Sequence, residues 1–497
     1  MLQTFEQVDT IRKDVARRIS QKRKSEFGQF MTSATVARFM ASLFSPSTLQ
    51  TARLLDAGAG TGSLSGAFLD RFLSHGFGFR KAEVTAYEID ASLRNHLYRT
   101  LAEYQGELAI DCSILPGDFI EEAARLILEG KPRFSHAIMN PPYKKINSSG
   151  RHRLLLRQVG IETVNLYSAF VALAIILMQP GGEIVVIIPR SFCNGPYYRP
   201  FRELLLAKTA LKRMHLFGAR DRAFKDDDVL QENIIIMLER GGAQGSVTVS
   251  TSTDDTFTDI ETRTYPFDQI VLPGDREHFI HVPTSPEHNQ TEISPAIRSF
   301  LVETGLEVST GPVVDFRLKD HLRTMPERGA VPLLYPVHFS GQSIHWPRVG
   351  IKKPNAIVRN DQTKKWLYPN GCYVVVRRFS SKEEKRRIVA TVVYPSAFNS
   401  PMIGLENHLN VFHYRRKGIP ENLARGLSVF LNSTQVDLQF RRFSGHTQVN
   451  ATDLRLLKYP SREALTSLGV WAEAQGELTQ DKIDRKIESL AWAEYAT

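Results

Sequence analysis

The chain has 497 residues, of which 42% are hydrophobic, and a formal net charge of +10 at pH 7. This length exceeds the size at which one hydrophobic core keeps growing, so two domains are expected. The cysteines Cys112, Cys193 and Cys372 are too few for a disulfide framework and too far apart for a chelating pair. We therefore expect a reducing cytoplasm and no structural metal. The basic charge favours a polyanionic partner such as nucleic acid.

Residues 51–240 alternate between β-type runs and helical patterns, which predicts an α/β, doubly wound sheet covered by helices. The candidate strands are RLLDAG, EVTAYEI, HAIMN, EIVVIIP, RMHLF and NIIIMLE. The helical patterns are GSLSGAFLDRFLSHG, EEAARLILEG and YSAFVALAIILM. The last belongs to an apolar run of about thirteen residues, short of the roughly 20 that cross a bilayer. It predicts a core helix and no membrane partner.

Glycines lie between a predicted strand and a predicted helix in LLDAGAGTGSLSGAF, residues 54–68. Gly58, Gly60 and Gly62 let the backbone turn tightly and approach a ligand, and a helix N-terminus favours carboxylate or phosphate. A dinucleotide site is one possibility. However, Asp56 ends the strand ahead of the glycines, where its carboxylate suits an ammonium group. The pattern therefore favours an amino-acid ligand.

Acidic residues follow at the next strand ends. Glu88, in AYEID, is placed to accept both hydroxyls of a ribose. Asp118, in PGDFIEEA, is placed to accept from an adenine amino group, with Phe119 packing on the ring. Either acid might instead cap the helix that follows it. Because ligands of open α/β sheets bind at the carboxyl ends of the strands, these positions together predict one nucleoside site.

The segment IMNPPYKKI, residues 138–146, ends an apolar run on Asn140. Pro141 and Pro142 fix φ near −65° and lack N–H groups, so the carbonyls of Asn140 and Pro141 become rigid acceptors without neighbouring donors. A strand-ending turn is the simpler alternative. The following KKINSSGRHRLLLR is expected to form a polar, mobile loop.

From residue 241 to about 300 the chain is rich in Ser, Thr and Asp, which predicts a connector with short strands. Residues 301–497 contain irregular β segments, VPLLYPVHF, GCYVVVRRF and RIVATVVY. They also contain basic clusters beside aromatic residues, KKPNAIVRNDQTKKW, RRFSSKEEKRR, VFHYRRKG and QFRRFSGHTQ. Each cluster alone is also compatible with a solvated face. Several in one half of the chain favour phosphate contacts and base stacking.

The motifs DAGAGTG, YEID, GDF and NPPY, in this order, resemble those of S-adenosylmethionine-dependent amino-methyltransferases. More narrowly, the chain resembles the γ-class DNA adenine-N6 methyltransferases of restriction–modification systems. These enzymes place an extra motif before the glycine loop, which GQFMTSATVARFM, residues 28–40, matches. The resemblance covers residues 28–240 by motif and the C-terminal half by layout, including FSGHTQVNATDLRLLKYP. It implies a Rossmann-like methyltransferase sheet in residues 1–240 and a mixed α+β target-recognition domain in residues 301–497.

The resemblance also implies roles for individual residues. S-adenosylmethionine is expected to contact Phe30, Thr32, Asp56, Gly58, Gly60, Gly62, Glu88, Asp118 and Phe119. The catalytic residues are expected to be Asn140, Pro141, Pro142 and Tyr143, with Tyr143 stacking on a flipped adenine. The expected DNA contacts are Lys144, Lys145, Arg441, Arg442 and His446.

Two positions depart from the family's pattern. Ser33 stands where a proline is usual. The strand IIIMLER offers Met237 and Leu238 where an aromatic residue often stacks on the base, so Phe217 or Phe224 is a candidate for that role.

The resemblance further implies a monomer acting on duplex DNA, paired functionally with a restriction endonuclease, and favours CTGCAG as the recognition sequence. Alternatives are cytosine-N4 methylation, where serine commonly replaces the asparagine, and RNA methylation. Protein-glutamine methyltransferases share the Asn-Pro-Pro-Tyr motif, but they are shorter and lack a basic C-terminal domain. A catalytically silent DNA-binding protein is disfavoured by the intact Asp56, Glu88 and Asn140.

Overall fold

A computed structural model describes residues 31–107, 109–130, 133–147, 149–218, 232–282, 296–341, 343–380, 384–443 and 448–493. These residues form two compact units divided near residue 284. Among the described residues, no helix is both long and apolar enough to cross a membrane.

The described part of the first unit contains one sheet in the order β3-β2-β1-β4-β5-β7-β6-β8-β9. Its strands are β1 (Thr51–Ala57), β2 (Lys81–Tyr87), β3 (Ile110–Leu115), β4 (Phe134–Met139), β5 (Met178–Pro189), β6 (Thr209–Phe217), β7 (Asn233–Arg240), β8 (Ser246–Ser252) and β9 (Glu261–Pro266). Strands β1 to β5 are parallel, and β7 is antiparallel to both β5 and β6. The carboxyl ends of β1, β2 and β4 therefore lie side by side at one edge of the sheet.

Helices cover both faces of this sheet. They are α1 (Ala34–Ser42), α2 (Ser63–Leu73), α3 (Ala91–Ala102), α4 (Phe119–Leu128), α5 (Arg151–Gln158), α6 (Leu166–Leu177), α7 (Arg199–Lys208) and the short α8 (Phe267–Ile270). Successive strand residues point to opposite faces, so Leu54 and Leu55 of β1 enter different hydrophobic clusters. Helix α6 is buried along almost its whole length, as its continuous apolar sequence predicts. The doubly wound α/β prediction is confirmed.

The segment predicted as a connector is instead part of the sheet. Strand β8 pairs in parallel with β6 and antiparallel with β9. Its serines are not linker residues, because the Ser250 and Ser252 hydroxyls lie 2.8 and 3.1 Å from the two ring nitrogens of the buried His215. The structural boundary therefore lies near residue 284, not 240. A second difference is that α5 replaces much of the polar loop expected after the Asn-Pro-Pro-Tyr motif.

The second unit has a mixed α+β architecture. A four-stranded sheet has the order β10-β20-β17-β18, a five-stranded sheet the order β11-β15-β12-β19-β16, and β13 pairs with β14. The strands are β10 (Glu307–Thr310), β11 (Leu322–Arg323), β12 (Ala330–Leu334), β13 (Phe339–Ser340), β14 (Ser343–Ile344), β15 (Ala356–Val358), β16 (Leu367–Pro369), β17 (Tyr373–Arg377), β18 (Ala390–Val393), β19 (Met402–Leu405) and β20 (Leu409–His413). The helices are α9 (Glu421–Leu431), α10 (Thr434–Phe443), α11 (Ala451–Leu456), α12 (Arg462–Glu473) and α13 (Gln480–Ala493).

Helices α9 and α12 cross at two glycines. A β-carbon added at Gly426 would lie 1.8 Å from the Leu465 carbonyl oxygen, and one at Gly469 would lie 1.7 Å from that of Asn422. Only glycine permits this approach of the two backbones.

Candidate active site

A cleft opens at the carboxyl ends of β1, β2 and β4. The residues predicted for the site that line it are Thr32, Gly58, Gly60, Glu88, Asp118, Phe119, Asn140 and Pro142. Asp56, Gly62, Pro141 and Tyr143 adjoin these residues in sequence but do not line the cleft. Phe30 lies outside the described residues. Residues more than 100 positions apart in sequence are therefore brought together at one edge of the sheet.

The glycine loop closes one side of the cleft. Gly58, Gly60 and Gly62 have φ values of 81°, 58° and 88°, which lie in the left-handed region that favours glycine. The N–H groups of Gly58 and Ala59 both donate to the Tyr87 carbonyl at 2.9 Å, which holds the loop against the end of β2. Helix α2 begins directly after Gly62.

Alanine substitutions should distinguish a glycine that is needed for packing from one that is needed for ligand binding. An added methyl group at Gly60 meets no atom within 4 Å, whereas at Gly62 it would lie 2.9 Å from Leu97 Cδ1. Both substitutions carry the cost of a left-handed conformation, about 1–2 kcal/mol. Gly62→Ala should lower the thermal unfolding midpoint more than Gly60→Ala, and Gly60→Ala should weaken binding of the expected cofactor. Calorimetry and thermal unfolding measure both effects; wild-type cofactor affinity in Gly60→Ala would contradict a close approach at this loop.

Glu88 joins the end of β2 to the glycine loop. Its Oε2 accepts from the Gly60 N–H and its Oε1 from the Asp90 N–H, both at 2.8 Å. The side chain is buried, and burial raises the pKa of this carboxyl. A carboxylate oxygen has a second lone pair, so both oxygens retain the capacity to accept from a ligand. The next residue, Ile89, lines the cleft with 53% of its surface exposed and was not predicted for the site.

Asp118 lines the cleft and also caps α4. Its Oδ1 accepts from the Ile120 and Glu121 N–H groups at 2.8 and 3.3 Å, and its Oδ2 lies 2.9 Å from His152 Nε2. Burial opposes ionisation of Asp118, but these hydrogen bonds outweigh it and lower the pKa of the carboxyl below its usual value. The capping alternative is therefore realised, and His152 of α5 is a partner that the sequence did not reveal.

An aromatic wall completes the cleft. The rings of Phe119 and Phe170 have centroids 5.0 Å apart, and Tyr87 contacts Phe119 edge-on at 5.2 Å. Phe170 belongs to α6, whose uniformly apolar sequence gave no signal that this residue lines the cleft.

Asp56 lies directly before the glycine loop and is fully buried. Its Oδ2 accepts from the Ser65 hydroxyl at 2.6 Å, whereas its Oδ1 has no hydrogen-bond partner among the described residues. Burial raises the pKa of Asp56 to about 7. Because Asp56 is fully buried and does not line the cleft, its predicted contact with a ligand ammonium group stays a prediction.

The Asn-Pro-Pro-Tyr segment follows β4. The Asn140 Nδ2 donates to Thr32 Oγ1 at 3.1 Å, and the Asn140 Oδ1 lies 3.0 Å from the Tyr143 hydroxyl. That hydroxyl is also 3.2 Å from the Ile187 carbonyl oxygen. These contacts define the orientation of the Asn140 carboxamide, with Nδ2 towards Thr32 and Oδ1 towards the Tyr143 hydroxyl. The half-buried Tyr143 ring meets Tyr167 edge-on at a centroid distance of 6.1 Å.

Ser33, where the family usually has proline, caps α1: its Oγ accepts from the Val36 N–H at 3.4 Å and donates to Asp255 Oδ2 at 3.2 Å. Met237 and Leu238 are buried in the sheet. Phe217 is 6% exposed and packs against Phe257, so it lies in the core instead of the cleft. Phe224 lies outside the described residues.

The predicted DNA contacts are only partly described. Lys144 and Lys145 are exposed beside the catalytic motif. The Arg441 Nε donates to Asp437 Oδ2 at 2.7 Å and its Nη2 to the Glu384 carbonyl at 2.9 Å, so this guanidinium already stabilises its own unit. The Arg442 side chain and His446 lie outside the described residues. All five assignments stay predictions.

Comparisons with known proteins identify the family of this chain. Residues 72–224 match the family model of the Eco57I restriction-modification methylase. The chain is 55% identical to the type II methyltransferase M.BsuBI of Bacillus subtilis, covering 99% of this chain and 98% of that protein. It is 43% identical to the type II methyltransferase M.PstI of Providencia stuartii, covering 97% and 96%.

Solved structures share the fold. The DrdV–DNA complex superposes with a TM-score of 0.52 at 11% identity, covering 94% of this chain and 59% of that chain. A nuclease-deletion mutant of the type ISP restriction-modification enzyme LlaGI, bound to a DNA substrate mimic, gives 0.50 at 11% identity, covering 90% and 55%. At this identity the likeness concerns the fold alone. Full-length identity to two type II enzymes carries the stronger conclusion: the chain belongs to the type II methyltransferases of restriction–modification systems.

Proposed function

We propose that this site-specific, S-adenosylmethionine-dependent DNA methyltransferase modifies the N6 amino group of an adenine flipped out of duplex DNA. The observation that carries the proposal is the position of Asn140. Its carboxamide lies at the cleft lined by the glycine loop, Glu88 and Asp118, and is held there by Thr32 and Tyr143. A hydrogen-bond acceptor thus lies next to a site suited to a nucleoside.

The residues of the cleft fit S-adenosylmethionine, which supplies an electrophilic methyl group when it is bound. Glu88 suits the ribose hydroxyls, and Asp118 suits the adenine amino group. The resemblance assigns the ammonium group to Asp56 and the methionine moiety to Thr32 and Phe30; of these three, Thr32 is the one that the described residues place at the cleft. Ile89, Phe119 and Phe170 offer apolar surface for the adenine ring.

The role proposed for Asn140 follows from the chemistry of an exocyclic amine. The lone pair of an adenine amino group is delocalised into the ring, which makes the nitrogen a poor nucleophile. When the Asn140 Oδ1 and the Pro141 carbonyl accept its two N–H bonds, the nitrogen is favoured in a pyramidal form with its lone pair available. The same dipoles stabilise the positive charge that develops on nitrogen, as preorganised dipoles do for other developing charges. No general base is needed beforehand, because the methylated nitrogen can lose its proton to solvent afterwards.

Tyr143 is proposed to stack on the flipped base. Extruding a base costs about a few kcal/mol, and stacking on an aromatic side chain returns roughly 1–3 kcal/mol. Pro142 lines the cleft and, like Pro141, offers no competing N–H donor.

The rest of the free energy needed to extrude the base is proposed to come from contacts between the protein and DNA. Residues 301–497 would act as the target-recognition domain, with Arg441, Arg442 and His446, and with Lys144 and Lys145 beside the catalytic motif. The Arg441 contacts described above make it a weak choice for a direct contact. We further propose a cytoplasmic monomer that protects host DNA from a paired endonuclease. The three free cysteines support the cytoplasmic location.

Sequencing the modified DNA of a host that expresses the protein tests this function. We expect N6-methyladenine at a single recognition sequence, for which the resemblance favours CTGCAG. A host expressing an Asn140→Ala variant provides the background. Methylation at N4 of cytosine would support the alternative base, and modification confined to RNA would contradict the proposal. N6-methyladenine at another recognition sequence would contradict the CTGCAG assignment and leave the rest of the proposal standing.

A further inference from the structure

The second unit contains a hairpin turn with an unfavourable sequence. Tyr414 and Lys417 exchange backbone hydrogen bonds of 3.0 and 2.8 Å around Arg415 and Arg416. The φ values of these two arginines are 47° and 61°, so both occupy the left-handed region. Two-residue turns with positive φ at both positions strongly favour Asn-Gly, because a β-carbon is disfavoured there. A turn that only connected two segments would form more readily without the arginines.

The turn is held against a second basic segment. The Arg416 Nη2 donates to the Lys365 carbonyl at 2.8 Å, and its guanidinium lies 4.9 Å from the centre of the Tyr368 ring. The arginine-turn patch is therefore defined as the residues brought together by this contact: Lys364, Lys365, Trp366, Tyr414, Arg415, Arg416 and Lys417. Five of its seven residues are basic and the other two are aromatic.

All seven side chains of the patch are exposed. Trp366 and Tyr414 expose 36% and 48% of their surface. The Lys365 Nζ lies 5.2 Å from the centre of the Trp366 ring, and the Arg415 guanidinium carbon lies 5.4 Å from the centre of the Tyr414 ring. Both cations therefore make cation–π contacts with aromatic residues of the patch. The Arg416 guanidinium contacts Lys365 and Tyr368, whereas Arg415 lies at the tip of the turn. Backbone strain in non-glycine residues is concentrated at functional sites.

We propose that the arginine-turn patch binds the phosphate backbone of duplex DNA, with Arg415 making the contact and Arg416 positioning the turn. Guanidinium groups bind phosphate oxygens through paired N–H donors, and the charge of the patch complements a polyanion. The inference rests on the proposed function, because it assumes that duplex DNA is the substrate.

The test replaces the turn by the sequence that its backbone prefers. An Arg415→Asn/Arg416→Gly variant makes the left-handed positions favourable but loses the Arg416 contacts with Lys365 and Tyr368, so the thermal unfolding midpoint should stay within a few degrees of the wild type. Affinity for duplex DNA at low salt should fall roughly tenfold, and the salt slope should fall by about one unit per lost phosphate contact. The loss should be equal on a cognate and a scrambled duplex. S-adenosylmethionine affinity should not change.

Two further variants control for charge and for backbone relief. Arg415→Lys keeps the charge and the left-handed residue but loses the paired N–H donors, so it should keep the salt slope and lose only part of the DNA affinity. His75→Gly relieves another exposed left-handed residue, with φ 57°, at the end of α2 that faces away from the cleft. It should raise stability without altering DNA binding.

The outcomes separate this inference from the proposed function. If wild-type protein binds no duplex DNA, the proposed function fails and this inference fails with it. If the wild type binds DNA and the Asn-Gly variant has the same affinity and salt slope, the patch is a solvated face and only this inference is wrong. A loss confined to the cognate duplex would overturn the phosphate assignment, since it would indicate contact with base edges.

Discussion

Asn140→Ala is expected to reduce methyl transfer by at least about a hundredfold to a thousandfold, the effect of removing one preorganised dipole from an active site. The variant loses the acceptor proposed for the target amine. Cofactor affinity should stay close to that of the wild type, because the roles proposed for cofactor binding fall on other residues. Single-turnover methylation assays and calorimetric titration with S-adenosylmethionine measure the two quantities independently.

A matched control is available in the same segment. Asn147 is exposed, and within the described part of the chain its Oδ1 accepts local hydrogen bonds from Ser149, so Asn147→Ala should methylate at nearly the wild-type rate. A near-normal rate in Asn140→Ala would refute the proposed mechanism. A large loss of cofactor affinity in that variant would instead mean that Asn140 belongs to the cofactor site.

Glu88→Ala should weaken S-adenosylmethionine binding roughly ten- to a hundredfold, since hydrogen bonds to a charged group contribute about 1.5–3 kcal/mol. The carboxylate also accepts from the Gly60 and Asp90 N–H groups, so its removal should loosen the glycine loop as well. Because burial raises the pKa of Glu88, the wild-type affinity should begin to fall on acidification at a higher pH than an exposed glutamate would give.

Calorimetry at several pH values, with thermal unfolding in parallel, tests this prediction. Glu83 on the same strand pairs with Lys81 at 3.0 Å and is only partly buried, so Glu83→Ala is a suitable control with unchanged cofactor affinity. If Glu88→Ala binds the cofactor normally but unfolds at a lower temperature, Glu88 organises the backbone only.

The sequence predicted the arrangement of the cleft because its signals are local. Glycines after a strand, acids at successive strand ends and two prolines after Asn140 each act through a few neighbouring bonds, and parallel strands place their carboxyl ends at one edge. By contrast, Phe170 and His152 reach the site through tertiary packing. An apolar helix looks the same whether or not one of its residues lines a cleft, and a polar segment gave no helical signal for α5.

The C-terminal half was predicted less completely for the same reason. The apolar runs of β12, β17 and β18 are visible in the sequence, whereas the helix crossing depends on Gly426 and Gly469, which are 43 residues apart. The connector prediction was wrong because Thr is favoured in strands. Ser is accommodated there when its hydroxyl has a partner, as those of Ser250 and Ser252 have in His215.

The position of β8 limits how the chain can be divided. A fragment that ended at residue 240 would lose the strand paired with β6 and would place the backbone N–H and C=O groups of β6 at an open edge. His215 would also lose its hydrogen bonds with the Ser250 and Ser252 hydroxyls. Ser33, at the start of α1, would lose its hydrogen bond to Asp255. Open strand edges are templates for self-association, so such a fragment would be prone to aggregate. A fragment that keeps β6 paired with β8, and β8 paired with β9, must extend past residue 266.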